Sequence, residues 1–126
     1  RSPSRGLGDV YKRQVLRDEI IKLMIRRESI QQNNRRSAVA ELTDHPMRIP
    51  LQSKLVSTEF NQDLAEVAYR VEGAASTLNR NDPNAPAGGQ WPLAYMNSFG
   101  VTIAAGANEV QRNILGERVL GLPKSK

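Results

Sequence analysis

The 126 residues predict an all-α fold, an incomplete up-down helical bundle of about four helices. Three observations predict it. Apolar residues recur at i, i+3 and i+4 through four separate stretches, the period of a helix face. Proline, glycine, asparagine and aspartate gather mainly in the gaps between those stretches, where they punctuate the chain. Aromatic residues make up only 5% of the chain, which argues against a sheet core built on Tyr, Phe and Trp.

The first helix is read from Leu16 to about Leu42. Leu16, Ile20, Leu23, Met24 and Ile30 fall on one face. Its middle turns polar through Gln31, Gln32, Asn33, Asn34, Arg35 and Arg36, then apolar character returns at Ala38, Val39 and Leu42. Pro46 and Pro50 mark a break over Thr43 to Pro50, and His45 inside it reads as a turn residue. A second helix runs from about Leu51 to Ala75 on the stripe Leu51, Leu55, Phe60, Leu64, Val67, Val71 and Ala74, with Gly73 as its terminator. Asn79 to Gly89 reads as a flexible connection. The third helix covers Trp91 to Ile103, with Pro92 tolerated in its first turn. Trp91, Tyr95 and Phe99 then share a face, as core packing requires. After a break at Ala105, Gly106 and Ala107, Asn108 is the expected N-cap of the fourth helix. Gln111, three residues on, is placed to close a capping box. Val110, Ile114, Leu115, Val119 and Leu120 form the last stripe, which Gly121 and Pro123 end.

Composition excludes several classes of function. With no cysteine there is no disulfide framework, thiolate metal site or Cys nucleophile. The single histidine leaves no histidine-based zinc site. No apolar run approaches the ~18 residues of a membrane span, and no secretory-type apolar stretch opens the chain, so a cytoplasmic protein is the default expectation. The net charge of +5 suggests nucleic acid, but its distribution argues otherwise. The first fourteen residues carry +3 of it, the remaining 112 only +2. Arg26-Arg27 and Arg35-Arg36 alternate with acids and amides, and no short turn between helices marks a recognition helix.

Those first fourteen residues, RSPSRGLGDVYKRQ, have no apolar period. Asp9 to Gln14 is what GAT GTG TAT AAG AGA CAG encodes, the transposon end used to tag sequencing libraries. Extending it upstream as TCT CGT GGG CTC GGA gives Ser4 to Gly8. The expectation is therefore that residues 1–14 are adapter-derived and disordered. Residues 15–126 would then be a C-terminal helical domain truncated on its N-terminal side, beginning at Val15.

The stretch from Thr102 to Lys124, TIAAGANEVQRNILGERVLGLPK, resembles the closing segment of acyl-CoA dehydrogenases. The matched positions are Ile103, Gly106, Asn108, Glu109, Gln111 and Arg112, then Glu117 through Pro123. The resemblance implies FAD-dependent α,β-dehydrogenation of an acyl-CoA thioester, the β-oxidation type of step. It also implies an electron-transfer flavoprotein or similar acceptor, a homo- or hetero-oligomer, and inactivity of this piece alone. It assigns the Ala105 backbone N–H to the thioester oxygen. Gly106, Asn108 and Glu109 would contact the flavin, with the helix N-terminus favouring its phosphates.

Two departures matter. Many relatives carry the catalytic Glu where this chain has Ala105, so no catalytic base is assigned here. The resemblance implies either a base on a helix upstream of Val15, as in the isovaleryl-CoA branch, or a non-catalytic subunit of a mixed oligomer. Ala107 stands where a flavin-bonding Thr is usual. Arg70-Val-Glu-Gly73 aligns loosely with the family's Gln-Ile-Phe-Gly, which would bring Gly73 to the FAD of a neighbouring subunit; a plain helix stop explains Gly73 equally well.

Overall fold

A computed structural model describes residues 3–124; Arg1, Ser2, Ser125 and Lys126 lie outside the described residues. Four α-helices account for most of it: α1 (Pro3–Arg36), α2 (Arg48–Val71), α3 (Gln90–Ile103) and α4 (Asn108–Ile114). Single turns of 3-10 helix at Ala40–Leu42, Gly73–Thr77 and Pro86–Gly89 punctuate the connections, and a π turn, Leu115–Val119, prolongs α4. No strand occurs among the described residues, so the all-α expectation holds.

The central helix is α2, which packs against both α1 and α3. Ion pairs give the direction of the first contact. Arg26 meets Asp63, while Arg70 reaches Glu19 at 3.1 Å. Ascending α1 therefore means descending α2, the antiparallel arrangement that a short connection favours. Tyr95 stacks on Tyr69 with ring centroids 5.6 Å apart, and Trp91 lies beside Val71 and Glu72, so α3 also runs antiparallel to α2. Phe99 meets Tyr95 edge-on at 5.2 Å. Of the expected aromatic face, Tyr95 thus packs on α2, while Phe99 is exposed and meets Tyr95 on its own helix.

Several boundaries differ from expectation for identifiable reasons. The 1–14 stretch, expected disordered, is helical from Pro3: once a helix is nucleated, each added residue gains a hydrogen bond, which offsets the ~1 kcal/mol cost of each interior glycine. The same helix stops at Arg36 and not near Leu42. There the Ser37 hydroxyl donates to the carbonyl of Asn34, and the Arg36 guanidinium caps the carbonyl of Leu42 at 2.7 Å. At the other side of this break α2 starts at Arg48, ahead of Pro50, because the first-turn N–H that proline lacks has no helical partner anyway. It ends at Val71, with Gly73 left-handed at φ 62°, so Ala74 lies past the helix and is exposed. The connection over residues 79–89 is more ordered than expected: the side chains of Asn79 and Asp82 accept the backbone N–H of Asn81 and Asn84.

Among the described residues the buried apolar core is small, made of Leu23, Ile49, Leu55 and Ala65. Beside it an apolar groove of about 520 Å³ runs between α1 and α2 toward Trp91. Its walls include Ile20, Met24, Phe60, Leu64 and Val67. Of the predicted α1 stripe, Ile20, Leu23 and Met24 thus line the groove, and of these only Leu23 is buried.

Candidate functional site

The segment between α3 and α4 is, among the described residues, one of two with a left-handed non-glycine residue, the other being at Ala87. Ala105 has φ 57° and Gly106 φ 99°, a left-handed pair that costs about 1–2 kcal/mol at the non-glycine residue. Side chains from α2 and α4 hold it in place. The Lys54 ammonium donates to the carbonyl of Gly106 at 2.7 Å and to Asn108 Oδ1 at 3.0 Å. The Thr58 hydroxyl lies 3.1 Å from the same Oδ1. Gln111 Nε2 donates to the carbonyl of Ala105 at 3.3 Å. Thr58, Asn108 and Gln111 are buried, so these bonds form where unpaired polar atoms would be costly.

This arrangement decides what the turn can present. Its carbonyl oxygens at Ala105 and Gly106 accept from side chains, whereas the Ala105 N–H makes no hydrogen bond among the described residues; the Gly106 N–H closes the turn at the end of α3. An exposed backbone turn with one free N–H donor, at Ala105, and committed acceptors suits a polarised carbonyl oxygen. Gly106 fits that role doubly. Its φ favours glycine, and a Cβ there would come within 2.7 Å of Gln111 Nε2.

The sequence-predicted site residues separate into two places. Ala105, Gly106, Asn108 and Glu109 are contiguous, with Glu109 exposed. Gly73 is elsewhere: from Lys54 to Val71 the axis of α2 advances about 26 Å, so Gly73 lies at the far end of that helix. A Cβ on Gly73 would meet nothing, so its left-handed φ and no close approach explains the glycine. Asn108 is the first helical residue and not the N-cap, which is Ala107. Its side chain is turned to Lys54 and Thr58, and Gln111 bonds back to Ala105 in place of a capping box. His45 behaves as a turn residue, its Nδ1 accepting the N–H of Met47 at 3.1 Å. Lys54 and Thr58 escaped the sequence reading. The available signal was a Lys and a Thr four apart, beside Leu51 and Leu55 on a face otherwise read as apolar. Farther along, Glu59 is paired with Arg112, which ties α4 to α2.

The described residues form an all-α domain with a left-handed turn between α3 and α4. The chain belongs to the acyl-CoA dehydrogenase C-terminal domain family, whose model matches residues 1–120. Among curated proteins it is 41% identical over 73 residues to acyl-CoA dehydrogenase IpdE1 of Mycolicibacterium smegmatis, covering 57% of this chain and 17% of that protein. Acyl-CoA dehydrogenase FadE26 of Mycobacterium tuberculosis is 40% identical over 70 residues, 52% of this chain and 18% of the relative. IpdE1 of the same organism is 38% identical over 73 residues, again 57% of this chain and 18% of the relative. The matched stretch therefore spans less than a fifth of these relatives. No solved structure matches the chain.

Proposed function

We propose that this chain is the C-terminal helical part of an FAD-dependent acyl-CoA dehydrogenase that introduces a Cα–Cβ double bond into an acyl-CoA thioester. The observation that carries the reading is the Ala105–Gly106 turn, with its tied carbonyls and the unengaged N–H of Ala105. The Ala105 N–H donates to the thioester oxygen, where negative charge accumulates as the α-proton leaves. A preorganised donor there lowers the barrier because it need not reorient during the reaction. Lys54 and Gln111 act through the turn by holding its carbonyls, which supports the alignment of that donor.

The residues fit a flavin through their backbone. Gly106 is exposed on the turn, the side where a Cβ would stand being taken by Gln111, and the Glu109 N–H is a donor at the start of α4. The Asn108 side chain contributes indirectly, being engaged with Lys54 and Thr58. Gly73, at the other end of α2, suits contact with the FAD of a neighbouring subunit. When bound, FAD supplies the hydride acceptor. Electron-transfer flavoprotein or a similar acceptor then takes the electrons, in a homo- or hetero-oligomer located in the cytoplasm.

Ala105 has a methyl side chain and removes no proton. The base belongs to an element preceding Val15, with residues 1–14 being adapter-derived. Reading the source DNA outward from Val15 tests that assignment: a longer frame lacking Ser4–Gln14 supports it, and a stop codon just upstream of Arg1 overturns it. The activity itself is tested on the intact subunit. Bound flavin that bleaches anaerobically on adding acyl-CoA is expected; absence of both flavin and bleaching refutes the reading for the lone subunit. The missing carboxylate at Ala105 favours one second reading, a non-catalytic subunit of a mixed oligomer. That version expects flavin and turnover only after a partner subunit is added.

A further inference from the structure

The ion pairs of the described residues leave Lys54 out. Lys22, Arg26, Arg48, Arg70 and Arg112 each meet a carboxylate. The Lys54 ammonium, on a half-buried side chain of α2, meets only neutral acceptors, the carbonyl of Gly106 at 2.7 Å and Asn108 Oδ1 at 3.0 Å. Nothing charged on the elements around it offsets it by an ion pair. Glu59 and Arg112 are paired with each other, α3 contains no charged residue, and Glu109 is exposed on α4. A neutral donor would tie the same two oxygens without the cost of drawing a charge out of water, so the charge itself calls for a reason. Its position supplies one. Two residues of chain span at most about 7 Å, so Ala105 N and Gly106 O are no farther apart than that. Adding the 2.7 Å bond places the ammonium within about 10 Å of the Ala105 N–H.

We propose that Lys54 is a positioning residue whose fixed positive charge stabilises the enolate oxygen formed at the Ala105 N–H as the thioester loses its α-proton. The inference rests on the dehydrogenase reading and deepens it. In that step the α-proton goes to the base, the C–H electron pair becomes the carbon–carbon double bond of the enolate, and the negative charge rests on oxygen. Loss of the β-hydride then restores the carbonyl and leaves the Cα–Cβ double bond. The thioester is neutral before the proton leaves, so an ammonium favours the enolate over the ground state, which is the condition for accelerating a step. At an effective dielectric constant of about 20, a unit charge about 10 Å away changes such an ionisation by about ten-fold. Gln111, the other support of the turn, is neutral, so this contribution falls to Lys54.

The test uses the intact, flavin-loaded subunit and a 3-thiaacyl-CoA, in which sulfur replaces the β-carbon so that the α-proton can leave and no hydride follows. Absorbance against pH reads the midpoint at which the bound ligand ionises. Lys54→Met and Lys54→Gln remove the charge, and each should raise that midpoint by about one pH unit. Affinity for the neutral ligand, measured at low pH, should stay within about two-fold. Lys54→Arg keeps the charge and should hold the midpoint within about 0.5 unit of wild type. Flavin content and circular dichroism identify folded variants; if Lys54→Met fails to fold, Lys54→Gln against Lys54→Arg carries the comparison. A wild-type subunit that holds no flavin and never ionises the ligand refutes the dehydrogenase reading, and the proposal with it. If the wild type ionises the ligand and the neutral variants keep its midpoint, the proposal alone is overturned. It is equally overturned if Lys54→Arg shifts as far as Lys54→Gln, because Lys54 then acts by geometry and not by charge.

Discussion

At Gly106 two constraints coincide, and they are unequal. A Cβ would meet Gln111 Nε2, the movable end of a long side chain, so the clash can be relieved by rotation. The φ of 99° cannot be relieved that way. Gly106→Ala is therefore expected to destabilise by about 1–3 kcal/mol through backbone strain, read as a lower urea midpoint with unchanged slope. Lys54→Met tests the other support. It keeps the apolar stem but removes the donor to Gly106 O and Asn108 Oδ1, with an expected cost of about 1–3 kcal/mol. Amide exchange should quicken first over residues 105–110; uniform acceleration throughout the chain would show that Lys54 serves overall stability alone. The sequence motif made Gly106 and Asn108 legible as special, but not why. Whether an Asn caps its own helix or accepts from a neighbouring one depends on a contact 54 residues away, and no local pattern carries that information.

At the scale of the element, α1 shows how far periodicity reaches. Its existence was legible from Leu16, Leu23 and Ile30. Its ends were not, because extension to Pro3 and termination at Arg36 depend on helix propagation and on the Leu42 carbonyl meeting Arg36. On this helix Lys22 donates to Asp18 at 2.7 Å. The hydrogen bond and then the charge of Asp18 raise the lysine above its ordinary 10.5, desolvation opposing weakly. A raised folded-state value means the contribution is complete below the unfolded value and disappears as pH rises through the folded one. Helicity should therefore decline slightly above about pH 10.5, and Lys22→Gln should remove that part of the decline. The pair is fully exposed, so the effect should be small and weaker in high salt; an unchanged alkaline titration in the variant would assign the decline to other groups. Deleting residues 1–14 should leave the thermal midpoint within about 2–3 °C, since chain ends tolerate truncation best and Tyr11 is 65% exposed. A loss of more than about 8 °C would mean that this stretch is integral to the fold.

For the whole molecule, the decisive fact is how little apolar surface is enclosed. Among the described residues only Leu23, Ile49, Leu55 and Ala65 form the buried apolar set, whereas Ile20, Met24 and Leu64 border an open groove. The all-α class was legible because each helix carries an apolar stripe. What each stripe faces was not, since periodicity distinguishes faces without saying which one meets a neighbour and which meets an opening. The groove has a built-in reporter, because Trp91, the single tryptophan, lines it. An apolar fluorescent dye such as anilinonaphthalene sulfonate should bind there and quench Trp91 by energy transfer. Leu64→Gln makes the groove wall polar at a residue already 38% exposed, so the fold should tolerate it. Dye affinity should then fall several-fold while circular dichroism stays unchanged. Arg17→Glu, on the outward face of α1, should leave dye binding as it was. If Leu64→Gln leaves dye affinity intact and Arg17→Glu lowers it, the dominant apolar surface is the outward face of α1. The groove between α1 and α2 would then be closed in solution.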